Sequence, residues 1–159
     1  MSEKNNPSLS GEQKFSSVFS ALLSMCFSKR TSLPPLFLSA TMLIFWLGVI
    51  FFFSSLPGNP TSYDPPLWYF VERKSAHIFE YAILMLLAVR LVKEYFRTER
   101  FAKQLLLAAV FSLAYAASDE LHQFFVPYRG ARLTDILIDG TGIFLMTFLM
   151  WGWRKRGKW

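Results

Sequence analysis

The stretch from Ala114 to Asp139, AYAASDELHQFFVPYRGARLTDILID, joins two apolar segments and places charged side chains between them. An ionisable side chain at the centre of a membrane helix costs roughly 2.5 to 3.5 kcal/mol on insertion scales. Such groups normally face a protein interior or a water-filled cavity, where they mark a working site. The stretch therefore predicts a membrane protein whose polar site includes Asp119, Glu120, Gln123, Arg129, Asp135 and Asp139.

Four apolar segments predict an all-α integral membrane protein with four transmembrane helices. Of the 159 residues, 53% are hydrophobic and 18% are aromatic, which is more than an ordinary globular chain contains. At about 1.5 Å per residue, such segments can cross a hydrocarbon core of roughly 30 Å. The helices are expected at about Leu33–Phe53, Ser75–Val92, Gln104 to beyond Glu120, and Leu133–Trp153, in a membrane domain spanning 33–155. The proline-rich stretch Ser54–Pro66 is expected to break the chain after the first helix.

The distribution of charge predicts which helix ends face the cytoplasm. Thirteen of the 17 basic residues lie in the N-terminal tail, between the second and third helices, or at the C-terminus. By the positive-inside rule these segments are cytoplasmic, so both termini lie inside. The acidic residues concentrate at the other helix ends, and the polar site is expected to open outward. The formal charge of +6 belongs to this arrangement and does not indicate a nucleic-acid partner.

Residues 1–32 are expected to form a cytoplasmic tail with a short amphipathic helix. Helical spacing relates the apolar residues Phe15, Val18, Phe19, Leu22 and Cys26. This pattern favours a helix that lies in the membrane interface, and a partly disordered tail is the alternative because so short a helix is marginal by itself. Residues 156–159 are expected to form a basic C-terminal tail. The chain has a single cysteine, so no intrachain disulfide is expected.

Three short polar faces lie at the predicted outer ends of the second, third and fourth helices. Residues spaced by three or four positions share one face of a helix. By this arithmetic the faces hold Lys74, His77, Glu80 and Tyr81; Tyr115, Asp119 and Gln123, with Glu120 at the edge; and Asp135 and Asp139. His122 shares the second face, but near the outer interface it is expected to be solvated and is not counted in the site. Lipid cannot satisfy these groups, so their convergence on one cavity is the economical explanation. We therefore predict one ligand-binding site formed by these residues together with Arg129.

Several of these residues also have a purely structural interpretation. Lys74 can extend to lipid headgroups, and the two tyrosine hydroxyls can bond to any acceptor that packing provides. Asp135 can stabilise the start of the fourth helix. Gly140 and Gly142 favour close helix packing over ligand binding.

Arg129 is expected to fold back over the polar site. It follows Val126-Pro127-Tyr128 and precedes Gly130, a sequence typical of a tight turn. Several carboxylates in one small cavity repel each other, and a guanidinium can bridge them through bidentate bonds. The same side chain can instead hold a phosphate or carboxylate of a ligand.

The motifs of common metal, nucleotide and serine-hydrolase sites are missing from the sequence. It contains no HExxH, P-loop or dinucleotide fingerprint, and no G-x-S-x-G elbow surrounds Ser118. We therefore expect no metal and no cofactor. His77, Asp119 and Glu120 are the candidate catalytic residues, because a histidine and paired carboxylates suit general acid–base work.

Three ordered motifs occur within residues 72–150. They are Arg73-Lys74-x-x-His77-x-x-Glu80-Tyr81, then Tyr115-x-x-x-Asp119-Glu120-x-x-Gln123-x-Phe125-x-Pro127-x-Arg129, then Asp135-x-x-x-Asp139-x-x-Gly142. Together they resemble the VanZ-like family, whose prototype is a small membrane protein associated with low-level teicoplanin resistance. The resemblance implies an envelope-related, multi-pass protein of the bacterial cytoplasmic membrane. The family often has Asn at the position of Asp139, so this chain carries an additional negative charge there.

Three functions are compatible with these features. The leading hypothesis is a binding protein whose cavity holds a charged amphiphile: a lipid-linked envelope precursor, an anionic lipid, or a lipoglycopeptide such as teicoplanin, with a contribution to glycopeptide resistance. The second is an intramembrane hydrolase or transferase that acts on an envelope lipid. The third is a purely structural ion-pair lock between helices. A membrane lipid or lipid-linked envelope molecule is the expected partner, and the oligomeric state is left open.

Overall fold

Four α-helices make up most of the described part of the chain. A computed structural model describes residues 35–58, 67–129 and 132–157. The helices are α1 (Pro35–Ser55), α2 (Leu67–Tyr95), α3 (Phe101–Phe124) and α4 (Leu133–Lys155). Each is long and apolar enough to cross a membrane, for which about 20 residues suffice. The prediction of an all-α protein with four membrane-spanning helices is confirmed. The predicted amphipathic helix in residues 1–32 lies outside the described residues.

Several helices extend beyond their predicted bounds, because a polar residue ends an apolar run without ending a helix. α1 continues through Ser54 and Ser55, which were expected to belong to the break after it. The Ser55 hydroxyl donates to the Phe51 carbonyl oxygen at 2.7 Å, which satisfies it within the helix. α2 begins at Leu67 instead of near Ser75, so its charged residues lie inside the helix.

Helix α2 is the centre of the bundle and contacts each of the other three helices. Its segment from Ile83 to Val89 is buried on every side, as expected for a helix that is apolar all round and enclosed by others. Consecutive helices run in opposite directions, so α2 and α4 are parallel to each other. Their contact is the most extensive in the bundle.

The parallel crossing of α2 and α4 depends on one glycine. A Cβ atom built at Gly142 would overlap the backbone carbonyl oxygen of Ile78 on α2. Small residues allow this kind of close backbone approach between membrane helices. Gly140, for which the same role was expected, has room for a Cβ atom, whose nearest neighbour would be the Leu113 Cδ2 at 3.8 Å. Close packing therefore applies to Gly142 and not to Gly140.

Polar contacts attach α1 to its neighbours. The Trp46 indole N–H donates to the Glu80 carbonyl oxygen of α2 at 2.9 Å. Arg90, also on α2, donates through Nε to the buried Ser39 hydroxyl at 2.9 Å. α1 is the most apolar of the four spans and has the smallest buried share. Its apolar surface therefore faces outward, and its polar groups determine where it sits.

We predict that Gly142→Ala lowers the free energy of unfolding in detergent by roughly 1–3 kcal/mol, the usual cost of overpacking. The added methyl group meets backbone atoms, which cannot rotate away. Gly140→Ala is the matched control, since it makes the same change one half-turn earlier in open space. Thermal unfolding of both variants measures the difference. Equal stability of the two variants would contradict the close crossing.

Candidate functional site

The predicted site residues lie at one end of the bundle, which we call the polar end. It is formed by the C-terminal ends of α1 and α3 and the N-terminal ends of α2 and α4. The polar faces of α2, α3 and α4 all belong to this end. The structure thus brings together polar side chains that lie as far apart in the sequence as Ser54 and Asp139.

Two side-chain pairs join α2 to α4 in matching order. Lys74 forms a salt bridge with Asp135, and one turn deeper His77 Nδ1 lies 3.1 Å from the Asp139 Oδ1. Asp139 is only 1% exposed, so its carboxylate is enclosed by protein. No described residue hydrogen-bonds its other oxygen, Oδ2. Lys74 therefore has a specific partner, and the His77 ring is held by a buried acid.

Asp119 links α3 to α1. Its Oδ2 accepts hydrogen bonds from the Ser54 hydroxyl at 2.8 Å and from the Gln123 side-chain nitrogen at 2.8 Å. All three side chains are buried. Next to them the Ser55 hydroxyl lies 3.1 Å from the His122 Nε2. A carboxylate can be buried when hydrogen-bond donors surround it. Here the donors are neutral side chains of α1 and α3.

Glu120 caps the connection into α4. Its Oε1 accepts the backbone N–H of Arg132, the N-cap residue of α4, at 2.5 Å. A negative charge near a helix N-terminus is favoured by the helix dipole, and Asp135 in the first turn of α4 adds a second one. Glu120 is buried. This candidate catalytic residue therefore has a direct structural role.

The turn after α3 carries Arg129 back over the end of α1. The Arg129 N–H donates to the Val126 carbonyl at 3.2 Å, and Tyr128 adopts a positive φ of 59°. The Arg129 Nη1 then donates to the backbone carbonyl oxygens of Phe53 and Ser54. Carbonyls at a helix C-terminus lack intrahelical donors. Arg129 thus caps α1, a role that was not predicted for it.

The two tyrosines of the predicted site have different environments. Tyr81 is fully buried, and its ring is stacked with the His77 ring at a centroid distance of 6.4 Å. Asp119 lies within electrostatic reach of its hydroxyl. The Tyr115 hydroxyl instead donates to the Leu47 carbonyl oxygen of α1 at 2.8 Å. The Tyr115 hydroxyl therefore joins α3 to α1.

An open cleft of about 430 Å³ lies at the polar end, and we call it the polar cleft. Charged side chains from α2 and the turn after α3 face apolar ones from the end of α1. Its lining consists of Phe53, Ser54, Leu56, Pro57, Glu72, Arg73, Ala76, His77, Glu80 and Arg129. Glu80 lies within electrostatic reach of His77 and Arg129. The cleft therefore offers both signs of charge beside an apolar wall.

The contribution of α1 to this site was not predicted from the sequence. Ser54 and Ser55 were assigned to a break, although two serines at the end of an apolar run are compatible with helix. Phe53, Leu56 and Pro57 form the apolar wall of the polar cleft. No spacing pattern in the sequence distinguishes these from lipid-facing residues.

We predict that Asp119→Ala destabilises the protein by roughly 1–3 kcal/mol, since it leaves the buried Ser54 and Gln123 side chains without their acceptor. Ser118→Ala is the control one position earlier, because that exposed hydroxyl donates only to Tyr115 of its own helix. Chemical or thermal unfolding in detergent measures both. A stable Asp119→Ala variant would show that the bonds between α1 and α3 contribute little.

Comparison with known proteins places the whole bundle in one family. The family model described as VanZ/LLP1 matches residues 39–154, so the match begins inside α1 and includes every helix. No curated protein and no solved structure matches the chain. The match spans well over half of the 159 residues. With four membrane-spanning helices as its scaffold, this chain is a multi-pass membrane protein that belongs to the VanZ/LLP1 family.

Proposed function

We propose that the polar cleft binds the charged head of an amphiphile. The candidate ligands are a lipid-linked envelope precursor, an anionic lipid, or a lipoglycopeptide such as teicoplanin, whose capture would contribute to glycopeptide resistance. A volume of about 430 Å³ is within the usual range for small-molecule sites. His77, Glu80 and Arg129 supply the groups that would orient such a head.

The observation that carries this proposal is the position of Phe53. Its side chain lines the polar cleft and is 50% exposed, and its neighbours along α1, Phe51 and Phe52, are exposed as well. A head in the cleft could therefore continue into an acyl chain along α1 without crossing a polar barrier. This continuity favours an amphiphile over a fully polar solute.

We further propose that the polar cleft faces the outside of the bacterial cytoplasmic membrane. The end opposite it carries the basic residues of the connection between α2 and α3 and of the C-terminus. The positive-inside rule assigns such segments to the cytoplasm. An outward cleft would meet the envelope ligands named above.

Cysteine labelling tests this orientation. In a Cys26→Ser background, single cysteines at Ser62 and Gly130 should react with an impermeant maleimide added to intact cells, and one at Thr98 should not. Thr98 lies between α2 and α3, at the end opposite the polar cleft. Labelling at Thr98 with protection at Gly130 would reverse the orientation and exclude an extracellular ligand.

A second candidate function is hydrolysis or group transfer on an envelope lipid, and the His77–Asp139 contact favours it. The buried Asp139 binds Nδ1 of the ring, so Nε2 is the nitrogen that remains for the cleft, which His77 lines. A histidine oriented by a carboxylate is suited to act as a general base. Asp119 and Glu120, the other catalytic candidates, are engaged by Ser54, Gln123 and the Arg132 backbone.

Ligand titration tests the binding proposal. We expect Glu80→Gln to strengthen binding of undecaprenyl phosphate and phosphatidylglycerol about threefold or more, because it removes a negative charge that repels their phosphate groups in the polar cleft. Glu12→Gln makes the same change in the N-terminal tail and is the matched control. Native mass spectrometry of the full-length protein with teicoplanin, undecaprenyl phosphate and phosphatidylglycerol measures binding.

The same spectra separate the two candidate functions. A binding protein returns each probe unchanged, whereas a hydrolase or transferase produces a new mass that His77→Ala abolishes. If no probe binds the wild type, or if Glu80→Gln and Glu12→Gln bind alike, the polar cleft is not the ligand site.

A further inference from the structure

A second cleft lies at the opposite end of the helices, and we call it the basic cleft. It has a volume of about 540 Å³ and is bordered by the end of α2, the start of α3 and the last turn of α4. Lys93, Arg97 and Arg154 line it together with Glu94 and Glu99. None of these residues lines the polar cleft.

The acidic residues that line the basic cleft form ion pairs with neighbouring cations, and Glu94 also attracts Lys93. The Glu94 carboxylate accepts from Arg97 Nη2 at 2.7 Å, and the Glu99 carboxylate accepts from Lys103 Nζ at 2.7 Å. Lys93 lies close enough to Arg154 for the two positive charges to repel each other. An anion placed between them would convert this repulsion into two attractions.

Aromatic contacts hold Arg154 at the basic cleft. Its guanidinium carbon lies 5.6 Å from the centroid of the Phe101 ring, a favourable cation–π distance. The Phe101 ring is stacked with the Trp151 ring at 6.3 Å, and Trp151 is partly exposed. Tryptophan at the end of a membrane helix typically lies at headgroup depth.

The start of α3 adds a further positive potential. Phe101, its first residue, lines the basic cleft. Arg100 at the N-cap makes no side-chain capping bond. Its backbone carbonyl accepts the N–H groups of Lys103 and Gln104, so those of Phe101 and Ala102 receive no acceptor from it. Helix N-termini favour anions for this reason. The N-terminus of α3 adds to the positive potential that Lys93 and Arg154 already provide.

We propose that the basic cleft binds a phosphate anion, between Lys93 and Arg154. The phosphate is either the headgroup of an anionic phospholipid or free in solution. Basic pockets between membrane helices bind phospholipid heads elsewhere by the same chemistry. This site is separate from the polar cleft, so the proposal does not depend on the proposed function.

The experiment titrates full-length protein in neutral detergent with phosphatidylglycerol, phosphatidylcholine and inorganic phosphate, using native mass spectrometry and thermal shift. Lys93→Gln/Arg154→Gln should weaken phosphatidylglycerol binding about 10- to 30-fold, since each basic residue contributes about 1 kcal/mol. Lys155→Gln/Arg156→Gln removes the same charge from exposed positions outside the cleft lining. It should change binding by less than about twofold, because neither side chain lines the basic cleft.

A variant of opposite sign keeps the test valid even if the double variant fails to fold. Glu94→Gln removes a negative charge beside Lys93 and should strengthen binding. Inorganic phosphate that displaces the lipid would identify free phosphate as a ligand, and phosphate that leaves it bound would identify the lipid. Unchanged binding in both Lys93→Gln/Arg154→Gln and Glu94→Gln would overturn the proposal. Equal losses in the two double variants, or equal binding of phosphatidylcholine, would overturn it as well.

Discussion

The contact between α2 and α4 at Gly142 and Ile78 is the constraint on which the polar end depends. In lipid, apolar burial does not favour helix association, so close packing and polar bonds must do so. Because Gly142 brings the two backbones together, the His77 ring reaches Asp139 one turn away, and Lys74 reaches Asp135 one turn beyond. The parallel direction of the two helices aligns these contacts in order. A wider crossing would leave Asp139 buried without its donor.

In helix α1, too, polar contacts and not apolar burial determine the position of the helix. It is the most apolar span and the least buried one, so its hydrophobicity reflects contact with lipid and not with the bundle. Its position is set by a few polar groups, including Ser39, Trp46 and Ser54. Arg129 completes the attachment by binding the carbonyls at its C-terminal end. The apolar wall of the polar cleft therefore exists because hydrogen bonds hold α1 against α2 and α3.

Sequence reasoning predicted the number of helices, their approximate spans and the polar faces of α2, α3 and α4, since charge in lipid is costly and leaves a clear pattern. It placed the start of α2 too late because Glu72, Arg73 and Lys74 interrupt the apolar run but not the helix. It could not assign the neighbours of each helix, because lipid-facing and protein-facing side chains are equally apolar. Ser54 was missed because the apolar run ends at Phe53, so Ser54 was placed outside the helix.

The structure divides the polar residues into two groups that the sequence could not separate. Asp119, Glu120 and Asp135 each bind a donor from another helix or its cap, so they stabilise the architecture. Glu80 and His77 line the polar cleft, where the local field depends on the fixed residues around them. Burial of Asp139 behind His77 means that any change in the charge of the ring alters the balance of the whole cleft. The residues that hold the helices together therefore also determine what charge the cleft presents.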